Sequence, residues 1–600
     1  MPFRLAAADL LRVLLAVPVA LFLAAPALAE IVVRVSGDAG EARDAIDAAS
    51  LLAQARRSGE TDPQNLYASA RADYGRILGV LYSEGYYSGI ISIRIDGREA
   101  SAIPPLDAPG RIGRIDVEVL TGPRFVFSAA RMRPYAGGTR IPPAYGDQAV
   151  ARSTAIADAA EAGIAGWRAE GYAKARVAEQ RIVADHARRT VDSLLILDPG
   201  PRVRFGRLDI SGYERMRPGR LVKIAGFPTG RLFDPEEVAK VSDRLRRTGV
   251  FRSVALSEAG GVNPDGSLDF SLQVEEGALR RFGLGAELQG DAGLALTGYW
   301  LNRNLLGGGE RLRFDGGIVG IGATAGSDFA AGIRIDRPAT PGTDTNAFAE
   351  IRLKRTDDRD YTSSDARFAF GFNRVVSKTI DASIALSIEG SRVRDRNGVR
   401  YYRQIALPIT ATRDRRDSAT NPTGGFYLSA EVRPFLGFGA TGSGLRLSGD
   451  LRGYRAFGRD DRLVMAGRVQ AGAVYGPGLL STPRDYLFYS GGGGTVRGQP
   501  YQSLGVPVAR VGTPIGGQSF VGFSGEARIA VSERIGVVGF YDAGFVSPTD
   551  FFGAGEWHSG AGVGLRYFTA IGPVRLDIAA PVSGRTGKGV QFYLGIGQAF

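Results

Sequence analysis

The sequence predicts α+β modules in its first part, followed by an all-β transmembrane barrel of about 16 antiparallel strands. Three observations carry that reading. Near Gly277 the chain changes from strands mixed with helical segments to continuous apolar–polar alternation. Before that point a period of about 80 residues repeats. After it, 600 − 277 = 323 residues remain, and at ~9–11 residues per membrane strand plus turns they fit roughly 16 strands.

The first element is read as a signal peptide over residues 1–29. Arg4 and Arg12 precede an apolar run from Val13 to Ala25, and Ala27-Leu28-Ala29 offers a small-residue cleavage site before Glu30. The run is shorter than the ~20 residues of a spanning helix; an uncleaved anchor is the competing reading. The chain has no cysteine and two histidines, His186 and His558. Disulfides and thiolate chemistry are thereby excluded, and a histidine triad or metal site is disfavoured. The formal charge of +12 suits anionic lipid headgroups or lipopolysaccharide of the outer membrane, although an arginine-biased composition with solvated loops accounts for it at least equally. The basic residues are dispersed among acids, unlike a nucleic-acid surface.

The repeat is punctuated by glycine. Helical segments end at Gly85, Gly171 and Gly249, spaced 171 − 85 = 86 and 249 − 171 = 78 residues apart. Later strands end at Gly122-Pro123, Gly200-Pro201 and Glu276-Gly277. Glycine supplies the left-handed turn after a helix, and Gly-Pro interrupts strand pairing. Modules of residues 30–122, 123–200 and 201–277 follow, each expected to run strand, two helices, two strands. The third shows this best: Arg202–Ile210 alternates, Pro218–Ala225 is a short helix, and Asp234 caps a second helix.

Residues 278–600 are the barrel. In Leu463–Ala471, Leu463, Met465, Val469 and Ala471 share one face and Arg468 and Gln470 the other. In Val574–Ile578, Arg575 and Asp577 lie opposite Val574, Leu576 and Ile578. Apolar outside and polar inside is the pattern of a membrane barrel with a wet lumen; a soluble sandwich alternates similarly. Parity places Glu526, Asp542 and Arg566 inward on neighbouring strands. Just before them lies Gly491–Gly505, a glycine-rich connection carrying Val496, Arg497 and Gly498. A guanidinium can fork onto two carboxylates, which would pin the loop inside. The bland alternatives are a solvated surface loop and water-bathed lumen charges. At the C-terminus, Phe592, Leu594, Ile596 and Phe600 are read as sharing one face. Gly437–Gly442 fits G-x-G-x-x-G, but strands flank it, so no dinucleotide site is expected.

Together these motifs resemble the BamA/TamA superfamily of outer-membrane assembly proteins. The loop signature is Val496-Arg497-Gly498, with Gln499 where an aromatic is usual and Tyr501 displaced. Phe540–Gly544 resembles the penultimate-strand motif, and Gly562–Tyr567 with Gly572–Asp577 the closing strands. Asp414–Asp417 with Pro422–Gly425 resembles a mid-barrel motif, and the terminal aromatic resembles the C-terminal signal of outer-membrane barrels. The modules resemble POTRA domains, and three of them point to the TamA branch. The resemblance implies an outer-membrane location with the N-terminal modules in the periplasm, and insertion or secretion of autotransporter-like clients. It also implies a TamB-like inner-membrane-anchored partner, no cofactor and no enzymatic activity. A two-partner secretion transporter and a passive porin are the alternatives, and phospholipid is a second possible cargo.

Overall fold

In the computed structural model the described residues are 29–37, 40–289, 293–322, 326–358, 361–396, 398–458, 461–508, 514–549, 551, 553–570, 572–587 and 589–600. The signal-peptide reading and its cleavage site, apart from Ala29, lie outside them. The chain divides into two compact units. One runs to Phe205 and takes in 230–235 and 262–268; the other holds 206–229, 236–261 and 269–600.

In the first unit, a sheet of order β1-β4-β2-β3 is built from β1 (Glu30–Ser36), β2 (Ile90–Ile95), β3 (Arg98–Glu99) and β4 (Arg114–Leu120). Three helices, α1 (Gly40–Ala49), α2 (Leu51–Ser58) and α3 (Pro63–Ser83), cover it. Ile46, Leu52, Leu66, Ile77, Ile93 and Val117 form its core. Asp73 is buried on α3, where it accepts Ser50 Oγ and the backbone N–H groups of Leu51 and Leu52 at the start of α2. A carboxylate suits that helix N-terminus.

A second sheet, β5-β7-β6, comprises β5 (Val126–Arg133), β6 (Arg176–Asp185) and β7 (Thr190–Asp198). It carries one helix, α4 (Ser153–Ala169), where two were expected. Pro134, Pro142 and Pro143 with Gly137-Gly138 fill the span where the other would lie, and proline is expelled from helix interiors. The turn glycines Gly85, Gly122, Gly171 and Gly200 all have positive φ, between 66° and 98°, a conformation that only glycine adopts at no cost.

The second unit holds most of a third sheet, β8-β10-β9: β8 (Arg204–Ser211), β9 (Phe251–Glu258) and β10 (Ser267–Glu276). Its helices are α5 (Pro218–Ala225) and α6 (Pro235–Arg247). Within this unit Arg244 and Arg247 both bond Asp344, at 2.8 and 2.7 Å. Burial alone would raise that carboxyl, but the two guanidinium groups hold it below its usual range.

The barrel begins with β11 (Arg280–Gln289), β12 (Gly293–Asn302), β13 (Arg311–Ile321), β14 (Asp328–Arg337), β15 (Thr345–Asp357) and β16 (Tyr361–Ser377). It continues through β17 (Ile380–Asp395), β18 (Gly398–Ala406), β19 (Ile409–Asp414), β20 (Gly425–Phe438), β21 (Gly444–Phe457) and β22 (Leu463–Tyr475). A long loop carries the hairpin β23 (Val506–Pro507) and β24 (Pro514–Ile515). Then come β25 (Ser519–Ala530), β26 (Ile535–Ser547), β27 (Glu556–Thr569), β28 (Gly572–Ser583) and β29 (Gln591–Ile596).

These strands close into one antiparallel barrel. Of its 17 segments, β18 and β19 are halves of a single strand: both pair with β17 on one side and β20 on the other. The strand count is therefore 17 − 1 = 16. Leu407-Pro408 makes the break, since proline has no N–H for the ladder. Closure matters because lipid cannot satisfy a free sheet edge. Among the described residues no helix is long and apolar enough to cross a membrane. The outer wall shows Ile351, Leu353, Phe368, Phe370, Val563 and Leu565, all exposed, the face expected to meet hydrocarbon.

Candidate functional site

Between Tyr475 and Ser519 lie 518 − 476 + 1 = 43 residues, and this connection folds into the lumen. Ser490, Val496, Arg497, Gln499, Leu504 and Ile515 are at most 2% exposed. Barrel residues grip it along its length. Tyr486 Oη donates to Glu389 at 2.8 Å, Arg484 pairs with Asp395 at 3.3 Å, and Arg446 donates to the Tyr486 carbonyl.

Its centre is Arg497. Nε and Nη2 fork onto the two oxygens of Asp542 at 2.7 and 3.0 Å, and the Arg497 backbone N–H meets the same carboxylate at 3.1 Å. Nη1 donates to Glu526 at 2.6 Å and reaches Asp577 at 3.4 Å. The guanidinium lies 3.6 Å from the centre of the Phe540 ring, a cation–π contact. Arg528 bonds the other oxygen of Glu526, and Arg566 the other oxygen of Asp577. Three arginines thus face three carboxylates: Glu526 and Asp577 each lie between two arginines, while Asp542 takes the fork of Arg497, and pairing of this kind is what buried charge requires.

The backbone approaches the wall as closely as chemistry permits. Gly498 has φ +90°, and a Cβ there would sit 2.5 Å from the Ala580 carbonyl oxygen. A Cβ at Gly560 would sit 1.9 Å from the Arg497 carbonyl oxygen. The Gly498 N–H donates to Tyr593 Oη at 3.0 Å. Gln499, where an aromatic is usual, is fully buried and acts as a polar staple. Its amide donates to the carbonyls of Ser559 and Ser583, at 2.7 and 2.9 Å, beside a register shift between β27 and β28. Its oxygen accepts from Thr586, which also contacts His558 Nδ1; His558 Nε2 meets Ser490 Oγ at 2.7 Å.

The structure brings Arg497, Glu526 and Asp542 into direct contact. Arg566 joins them only through Asp577. Parity placed Asp577 inward, but nothing in the sequence tied it to the loop. Tyr593 was equally readable, lying between the outward Phe592 and Leu594. Those two and Ile596 are exposed on the outer wall, whereas Phe600 is buried, so the expected common face does not extend to it. The strand ends at Ile596, Gly597 turns at φ +96°, and Phe600 packs against Tyr454 while its carbonyl accepts from Arg528. The turn after β19 also reaches this cluster. Gln598 bridges Arg566 and Asn421 at 2.9 and 2.8 Å, and Asp417 caps the Thr423 N–H at 3.0 Å.

Residues 304–600 match the Omp85 superfamily domain. The outer membrane protein assembly factor BamA of Nitratidesulfovibrio vulgaris is 22% identical over 458 residues, 72% of this chain and 55% of that protein. The match therefore spans about half that relative's length. The crystal structure of BamA from Haemophilus ducreyi lacking POTRA domains 1–3 aligns with a TM-score of 0.59 at 17% identity, over 79% of this chain and 100% of that one. CdiB from Acinetobacter baumannii aligns with a TM-score of 0.51 at 12% identity, over 79% and 90%. At these identities the structural likeness is one of fold.

Proposed function

Since the chain belongs to the Omp85 superfamily and is an outer-membrane barrel with α/β domains on its periplasmic side, we propose that it inserts or secretes other proteins. Its clients are unfolded outer-membrane or autotransporter-like chains, handed over with a TamB-like inner-membrane-anchored partner. Residues 30–122, 123–200 and 201–277 are three POTRA-like domains in this reading. No bond in the client is made or broken, so the protein is not an enzyme.

One observation carries the reading. At the junction of the first and last barrel strands, β11 and β29 pair through Leu288–Leu594 and Gln289–Tyr593 among the described residues. By contrast β11 pairs with β12 all the way from Arg280 to Gln289. A sheet edge this lightly paired offers backbone groups to an incoming strand. The partner site fits the first module, where β1 is an edge strand bonded to β4. The loop packed into the lumen speaks against passive diffusion.

Depletion followed by comparison of the outer-membrane proteome and lipids tests the proposal. Loss of several barrel or autotransporter species is the expected result. Loss of one secreted polypeptide alone would instead identify a two-partner transporter, and a change confined to lipid would overturn the protein-assembly role.

A further inference from the structure

The seam is paired along its backbone at two register positions among the described residues, and a side-chain pair also spans it. Arg575 of β28 reaches over β29 to Glu287 of β11, with Nη2 2.8 Å from Oε1. The strand in between carries glycine at the crossing point. Gly595 is the register partner of Arg575, and it adjoins Leu594, whose partner Leu288 adjoins Glu287. Arg575, Gly595 and Glu287 therefore stand in a row across three strands. A Cβ on Gly595 would lie 3.3 Å from Arg575 Nε and 3.7 Å from Glu287 Cγ, so the guanidinium lies over the glycine. A bulky side chain at this position would press on it.

We propose that Arg575, Gly595 and Glu287 form a latch that supplements this short backbone ladder, making Arg575 the positioning residue that sets the threshold for strand exchange at the seam. The inference rests on the seam reading above. The Arg575 side chain is 11% exposed and that of Glu287 39%, so the pair is shielded on one side and open to lumen water on the other. Such a pair is weaker than a buried one and sensitive to salt. That suits a catch that must release. Opening would leave Glu287 on β11, facing inward and able to meet a basic side chain of an incoming strand at the same register.

Native-state hydrogen exchange of the full chain in lipid nanodiscs tests this, with the β26–β27 ladder as internal reference. Glu287→Gln should speed exchange at Tyr593 and Leu594 about 3- to 10-fold and leave β26–β27 unchanged. Gly595→Leu, which keeps both charges but blocks their path, should do the same. Exchanging the charges, Glu287→Arg with Arg575→Glu, should restore the rate to within about twofold of wild type. Raising salt from 0.1 to 1 M should loosen the wild-type seam and leave Glu287→Gln unaffected, an arm that does not require the glycine variant to fold. Wild-type rates in Glu287→Gln, with a seam still faster than β26–β27, would overturn the latch and leave the seam reading intact. A wild-type seam exchanging as slowly as β26–β27 would overturn both.

Discussion

Removing the Arg497 guanidinium should release the lumen loop while the barrel wall survives. In Arg497→Met, Glu526 keeps Arg528 and Asp577 keeps Arg566, but Asp542 loses its bidentate partner. One carboxylate is left uncompensated in a site where the acids are at most 1% exposed. A water-filled lumen would reduce the loss toward the ~1 kcal/mol of an exposed pair. The burial found here instead places it near the ~3–5 kcal/mol of a broken buried pair. At a tenfold change per ~1.4 kcal/mol, the opening equilibrium of the loop should rise by two to three orders of magnitude.

That energy belongs to docking of the loop, because the sixteen-strand ladder does not pass through Arg497. Hydrogen exchange or limited proteolysis of Gly491–Gly505 should therefore report the change, while unfolding of the barrel in detergent moves much less. A double-mutant cycle with Asp542→Asn isolates the pair, and its coupling should reach the upper part of the ~0.5–3 kcal/mol range for residues in contact. Arg497→Glu should be defective in assembly, and Asp542→Arg should restore part of the activity. Coupling near zero, or a fully active Arg497→Glu, would refute the reasoning.

Gly498→Ala should undock the same loop with every charge retained, because its Cβ meets the Ala580 backbone at 2.5 Å in a φ +90° conformation; loop protection as in wild type would rule this out. Gln499→Ala leaves the Ser559 and Ser583 carbonyls unpaired and should cost about 1–3 kcal/mol of loop docking, measured by the same exchange experiment. Asp344 has a depressed folded-state pKa, so its contribution is complete above the unfolded carboxylate value of ~3.9 and is lost as pH falls through the lower folded value. Asp344→Asn should accordingly destabilise the contact of α6 with the β14–β15 turn at neutral pH, and the difference from wild type should vanish in strong acid. Deleting residues 30–122 should abolish co-purification of the partner while the barrel still folds, and partner retention would exclude the first module as the docking site.

The barrel was legible because strand periodicity is 2 and its two sides face opposite solvents. Once Val521, Phe523 and Ile529 are assigned to lipid, Glu526 and Arg528 have only the lumen left. The same parity placed Asp542, Arg566 and Asp577 inward. It could not say which of them the loop meets, because a glycine-rich connection has no periodicity to follow. Asp577 was therefore assigned to the correct face but to no partner. Phe600 failed for the opposite reason. Alternation was carried past Ile596, although Gly597 had already turned the chain. In the second sheet the strand–helix order was extended across a run of prolines that cannot be helical. Local chemistry overruled the repeat there.

The site also distinguishes the two strands of the seam. β29 and the residues following it are held from the lumen side: Tyr593 accepts from Gly498, Gln598 from Arg566, and Phe600 from Arg528. Two of those three donors, Arg528 and Arg566, also ligate the carboxylates that anchor the loop. For β11, Glu287 makes the one side-chain hydrogen bond found among its described residues, and its backbone is held by β12. The loop and the last strands thus form one braced body, with β11 hinged on β12 beside it. In the proposed opening of the seam, β29 would stay with the loop and β11 would be the strand that moves. The charged cluster at Arg497 thus braces the β29 side of the proposed seam.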